Sequence, residues 1–184
     1  AHPSSFRSPI MIRNPGPVAL SAASLIALIA CQTGPDGITS PKAAVRGFYG
    51  DYAGDFRKAE TARLSKGLAA EVERARANEV ESAALTKAGP NPTDKPNILE
   101  GEIFAGLYEG YTSYKMGPAR VLGDRASVAV TFRNKGYKTR WTDDVKLVND
   151  NGWKIDNVLF TGGWSGQTST RDALRQFNAV PVGP

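Results

Sequence analysis

Apolar and polar positions from residue 41 onward repeat first with the period of a helix and then with that of a strand. Val45, Phe48, Tyr49, Tyr52 and Phe56 recur at the spacing of one helical face. Ser40-Pro41 in front of them supplies a hydroxyl N-cap and a proline at the first helical position. A second helix is predicted over about residues 62–84, with Leu64, Leu68 and Val72 on its buried side and Glu71, Glu73, Arg74 and Arg76 elsewhere. Gly89-Pro90-Asn91-Pro92 ends it, and a loop continues to about Asn97.

Beyond residue 124 the period is two. Ala126, Val128, Val130 and Phe132 share one face of a strand over 125–132, and Asn134-Lys135-Gly136 makes a turn. Tyr137, Thr139, Trp141, Asp143, Val145 and Leu147 then alternate with Lys138, Arg140, Thr142, Asp144 and Lys146. Asn149-Asp150-Asn151-Gly152 is a hairpin signal, residues 153–160 return as the next strand, and Gly162-Gly163 ends the sheet. Ser169, with Asp172 three residues on, caps a short last helix carrying Leu174 and Phe177. The fold class is α+β: N-terminal helices on a curved antiparallel sheet, with a short C-terminal helix. The domain occupies residues 41–164, and residues 165–184 hold the last helix and a tail.

The N-terminal segment has another pattern. Residues 1–10 lack periodicity and contain two prolines, and they read as an upstream extension. From Met11, Arg13 supplies a positive n-region, and residues 18–30 form a run of 13 mostly apolar side chains. A membrane span needs about 20 to cross roughly 30 Å of hydrocarbon, so this run is expected to be a leader. It ends in Leu28-Ile29-Ala30-Cys31, which resembles the lipobox of bacterial lipoproteins, with Ile29 where a small or hydroxyl residue is more frequent. The resemblance implies cleavage after Ala30, a diacylglycerol thioether on Cys31, and acylation of the new amino group. One chain holds a protein only marginally at about 0.8 kcal/mol per buried CH₂, whereas two or more hold it stably. Residues 1–31 are thus expected to be extension and signal peptide, with Cys31 the lipid anchor. Gln32 in place of Asp points, within this resemblance, to the outer membrane of the bacterial envelope. Residues 32–40 become a tether reaching roughly 30 Å, and the domain faces the periplasm.

Composition narrows the chemistry. The chain of 184 residues is 41% hydrophobic and 22% charged, which suits one globular domain with its own core. The net charge is +5; Arg7 and Arg13 are the only charged residues before Cys31, and removing both leaves +3. That is mild and unclustered beside a nucleic-acid interface, so no nucleic-acid partner is expected. His2 is the only histidine and Cys31 the only cysteine. Ser-His-Asp chemistry, Cys-His chemistry, Cys/His zinc and disulfides are therefore excluded beyond Cys31, while carboxylate-only sites stay open. Asp36 and Asp51 fit no metal loop, the glycines fit no phosphate or dinucleotide fingerprint, and Asp143 and Asp144 point to opposite faces of their strand. No catalytic residue, metal or cofactor is assigned.

Residues 41–52, PKAAVRGFYGDY, resemble the first helix of the cone-shaped nuclear transport factor 2-like (cystatin-like) superfamily, and residues 151–158, NGWKIDNV, resemble its closing hairpin and last strand. Together they resemble an uncharacterised branch of bacterial envelope lipoproteins. The resemblance covers about residues 41–160 and implies the cone. It assigns no activity, because the superfamily hosts enzymes, ligand binders and interaction domains.

Enzymes of that superfamily use Asp, His or Tyr inside the cone. With histidine absent, Tyr108, Glu109, Tyr111 and Tyr114 are the candidates for a Tyr/carboxylate pair at the cone mouth; the plainer expectation is packing at the sheet edge with hydroxyls in water. Arg133, Lys135, Lys138, Arg140, Lys146 and Lys154 are a candidate basic patch on the solvent side of the strands, suited to an acidic partner or anionic lipid, with Asp144 and Asp156 interleaved. The leading expectation is a non-enzymatic envelope lipoprotein that binds another envelope protein. The alternative is a carrier of a small apolar ligand, or an isomerase/dehydratase-like enzyme, using the cone cavity. A third is a protective partner for an envelope toxin. The interior discriminates the first two: Val128, Val130 and Trp141 either fill the cone or line an open cavity.

Overall fold

The computed structural model describes residues 40–162 and 166–182; Cys31, its preceding motif Leu28-Ile29-Ala30 and most of the tether lie outside the described residues. The period-two alternation becomes four antiparallel strands in the order β1-β2-β3-β4: β1 (Ser113–Leu122), β2 (Arg125–Asn134), β3 (Thr139–Asn149) and β4 (Trp153–Leu159). Val128, Val130 and Phe132 of β2 and Trp141, Val145 and Leu147 of β3 are buried on one face, as their alternation requires. β3 starts two residues later than the alternation suggests. Lys138 turns the chain at φ 52°, and Tyr137, whose N–H donates to Asn134 Oδ1 at 3.1 Å, is 61% exposed in the turn. The second hairpin is as expected, with Gly152 N donating to Asn149 Oδ1 at 3.0 Å.

β1 is a correction for Tyr114, which the sequence pattern placed ahead of the sheet; Tyr111 does precede it. Tyr114 lies in β1 and pairs with Phe132. Gly117-Pro118 hides the strand: proline has no N–H for the ladder, and the register skips from Met116 to Ala119 around the pair. At the opposite border, Leu64 bridges Ile155 in parallel, Ser65 N donates to Ile155 O at 2.7 Å, and Ser169 bridges Leu159.

Three α-helices complete the described α+β fold. α1 (Pro41–Asp51) begins where the cap signal lies, with Ala43 N donating to Ser40 Oγ at 3.1 Å. Its apolar stripe outruns it: Tyr52 is the C-cap, and Phe56 opens a separate 3₁₀ turn, Phe56–Lys58. Ala44, Val45, Phe48 and Tyr49 face the core against the sheet. α2 (Lys66–Ala88) starts later than its hydrophobic spacing suggests because Leu64 and Ser65 run beside β4. α3 (Thr170–Ala179) packs on α2 and β4 through Ala173, Leu174 and Phe177, with Asp172 N donating to its cap Ser169 at 3.1 Å. Among the described residues no helix is long and apolar enough to cross a membrane.

Ser65 joins the two layers. Its Oγ accepts from Leu68 N at 3.2 Å and donates to Asp156 Oδ1 at 2.7 Å, beside the Arg171 guanidinium bound to the same carboxylate. Ser65→Ala removes a helix cap and a buried bond together and is expected to cost about 1–2 kcal/mol in urea unfolding. A change within experimental error would deny the cap this role.

Candidate functional site

The segment between α2 and β1 carries the chemistry. Leu99, Ile103, Phe104, Ala105 and Leu107 bury an irregular stretch, and burial draws Glu102 in with them until it is only 5% exposed. A carboxyl there needs partners. Glu102 Oε1 accepts from Tyr52 Oη at 2.8 Å and from Phe104 N at 2.6 Å. Oε2 has none, and neither has the hydroxyl of Tyr111. Desolvation pushes the Glu102 carboxyl up to about 7 against the pull of those two hydrogen bonds. Burial also raises Tyr52 and Tyr111, with the Glu102 charge adding to each, so both are neutral phenols.

These groups line a cleft of about 560 Å³ that also includes Gly54, Asp55, Tyr108, Glu109 and Gly110. The two glycines, at φ 77° and 72°, stand beside the free oxygen: a Cβ on Gly54 would lie 3.6 Å from Oε2, and one on Gly110 would lie 3.7 Å from it. Arg57 is the cation at the rim, and it is engaged. It donates to both oxygens of the buried Glu79 at 2.7 Å each, to Leu99 O at 3.1 Å and to Asp55 at 3.2 Å. With Arg57 held by Glu79 and Asp55, Glu102 and Glu109 are the lining carboxylates left without a cation, and the cleft is acidic.

The Tyr/carboxylate pairing therefore exists with other members than the sequence proposed. Tyr111 is in the cleft with its hydroxyl unpartnered, not in water. Tyr108 is 49% exposed at the mouth, and Glu109 is exposed beside it. Tyr114 sits on the sheet, its ring 5.5 Å from that of Tyr49. Tyr52 and Glu102 were missed: Tyr52 read as one more position of an apolar stripe, and Glu102 followed the loop that sequence reasoning left at Asn97. The available signal was an acid immediately ahead of the apolar run Ile103-Phe104-Ala105, with Gly101, Gly106 and Gly110 around it.

Asp143 and Asp144 do face apart. Asp143 is buried and ties the loop to the sheet, accepting from Gly106 N at 2.7 Å, Trp141 Nε1 at 2.8 Å and Thr161 N at 3.1 Å. Asp144 pairs with Lys146.

The six basic candidates do not form one patch. Lys146 is held by Asp144, and Lys154 Nζ donates to Ala62 O at 2.7 Å. Arg133 and Arg140 sit directly opposite each other on β2 and β3. Lys138 and Lys115, the latter not anticipated, line the same surface groove of about 520 Å³. Lys135 is exposed in the adjoining turn. None of Lys115, Arg133, Lys138 and Arg140 forms an ion pair among the described residues. Like charges across a strand pair cost about 0.2–1 kcal/mol, so the sheet is not stabilised by this arrangement. No cluster of three or more metal-ligating side chains occurs among the described residues.

The features define an α+β domain with an acidic cleft and a basic strand face. No protein-family model matches the chain, and no curated protein matches it. A solved structure similar to it is the type VI native effector-immunity complex Tae3-Tai3 from Ralstonia pickettii, at 19% identity and a TM-score of 0.37, covering 69% of this chain and 94% of that one. A likeness at that score leaves the reading of this chain to its own residues.

Proposed function

We propose that the chain is a non-enzymatic lipoprotein of the bacterial envelope, anchored in the outer membrane through acylated Cys31, whose domain faces the periplasm and binds another envelope protein. The observation that carries this reading is the directly opposed Arg133 and Arg140, flanked by Lys115 and Lys138 and lacking carboxylates. An acidic surface on a partner supplies the missing charge. The finer fold in this proposal is the cystatin-like cone, with α1 held in the concave face of the sheet; the burial of Val45, Phe48 and Tyr49 supports it. The competing carrier or isomerase/dehydratase-like reading needs an open apolar interior, and Val128, Val130 and Trp141 occupy that space with their own side chains.

The test is cross-linking and pull-down from native membranes with the lipidated protein, a Cys31→Ser control and an R133E/R140E double variant. An envelope protein is expected with the native chain, its recovery falling about tenfold on charge reversal. Mass spectrometry of the mature amino terminus is expected to find an acylated cysteine. A discrete small molecule co-purifying in place of any specific protein would overturn the interaction module.

A further inference from the structure

We propose that the cleft between Tyr52, Glu102 and Tyr111 receives an arginine side chain of the partner protein. This rests on the partner-binding reading for its occupant but on different residues. Glu102 Oε2 and Tyr111 Oη are both shielded from water and both lack a partner in the same cleft. Groups left in that state destabilise the domain unless something is built to meet them. Glu102 Oε1 is already satisfied by a phenol and a backbone amide, so one free acceptor oxygen remains just beneath the cleft surface, beside Gly54 and Gly110. Both glycines hold a positive φ that a larger residue would adopt only under strain.

The charge selects a cation. Glu109 borders the cleft without a cation, and Arg57 is engaged by Glu79, Asp55 and a carbonyl. A cationic donor also stabilises Glu102 in its ionised form, which burial alone disfavours. The geometry selects a guanidinium over an ammonium. A planar fork donates in two directions at once, to Oε2 and to the Tyr111 oxygen, and it sheds water more readily than a lysine head. The half-exposed ring of Tyr108 at the mouth offers a face on which the same plane can stack. A metal ion lacks the ligand cluster it needs among the described residues.

The test is an amide NMR titration of the full chain with N-acetylarginine amide, against the citrulline derivative of the same shape without charge. Saturable shifts are expected at Gly54, Glu102, Gly110 and Tyr111, with the citrulline derivative binding about tenfold more weakly. Glu102→Gln is expected to abolish the response, and Tyr111→Phe to weaken it about threefold. Equal binding of the two probes, shifts confined to other regions, or unchanged binding by Glu102→Gln would overturn the assignment. Should Glu102→Gln lose its dispersed spectrum, the probe pair and Tyr111→Phe decide it. A silent cleft beside a recovered partner overturns this inference alone. Arginine binding with no recoverable partner overturns the interaction module and leaves the cleft as a site.

Discussion

Phe48→Ala is expected to lower the unfolding free energy by about 4 kcal/mol. The ring is 1% exposed, stacks on Tyr52 at 5.2 Å, and meets Tyr49 edge-on at 5.1 Å and Phe104 at 4.9 Å. Its neighbours cannot move freely into the space it leaves. Tyr49 Oη donates to Phe104 O at 2.7 Å, and Tyr52 Oη is held by Glu102. The cavity therefore stays largely open, which places the cost toward the upper end for such truncations. With an m-value of about 2 kcal/mol/M, the urea midpoint falls by about 2 M. A loss under about 1 kcal/mol would show that the rings collapse into the space.

Glu102 gives the second large effect, through pH. Its carboxyl titrates near 7 in the folded domain, against an ordinary value of 4.5. Between those values the folded state holds more protons than the unfolded chain, so stability falls as pH rises through the window and levels off above it. The gap corresponds to roughly 3 kcal/mol, at about 1.4 kcal/mol per unit. Asp143, raised by burial, contributes with the same sign. Asp156 and Asp172 are held below the ordinary carboxylate value, the first by Ser65 and Arg171 against its burial, the second chiefly by Thr168 N. Their stabilisation is present at high pH and lost as pH falls, so the total profile mixes signs. The useful quantity is the difference between the native chain and Glu102→Gln, measured by urea unfolding at pH 4.5 and pH 8. That difference is expected to change by roughly 3 kcal/mol in favour of the variant at the higher pH. Parallel pH profiles for the two proteins would refute a buried, proton-holding Glu102.

Much of the architecture was legible because its signals were periodic. The stripe from Val45 to Tyr52 and the alternations from Ala126 to Phe132 and from Trp141 to Leu147 mark faces that are buried in the structure. Caps at Ser40 and Ser169 and the turn at Asn149 lie where their side chains predict. What stayed hidden is what breaks a period. Gly117-Pro118 interrupts β1, and a strand with a bulge at its middle no longer alternates. Leu64 and Phe56 fit helical spacing yet reach the core from a bridge and a 3₁₀ turn, since spacing alone does not report which backbone carries a side chain. The candidate site suffered most. Tyr52 and Glu102 are 50 positions apart in the chain, and only tertiary packing brings them together. Periodicity reports which side faces inward, not which polar atom is left without a partner there.

The two borders of the sheet limit how this domain can associate. One border is cut by Pro118 into two short runs, and the other is occupied by the chain around Ser65 and Ser169. Neither offers a long ladder for an incoming strand to extend. Contacts with another molecule at either border then fall to side chains and their charges, and the same closure guards neighbouring copies of the domain against templating each other into fibres.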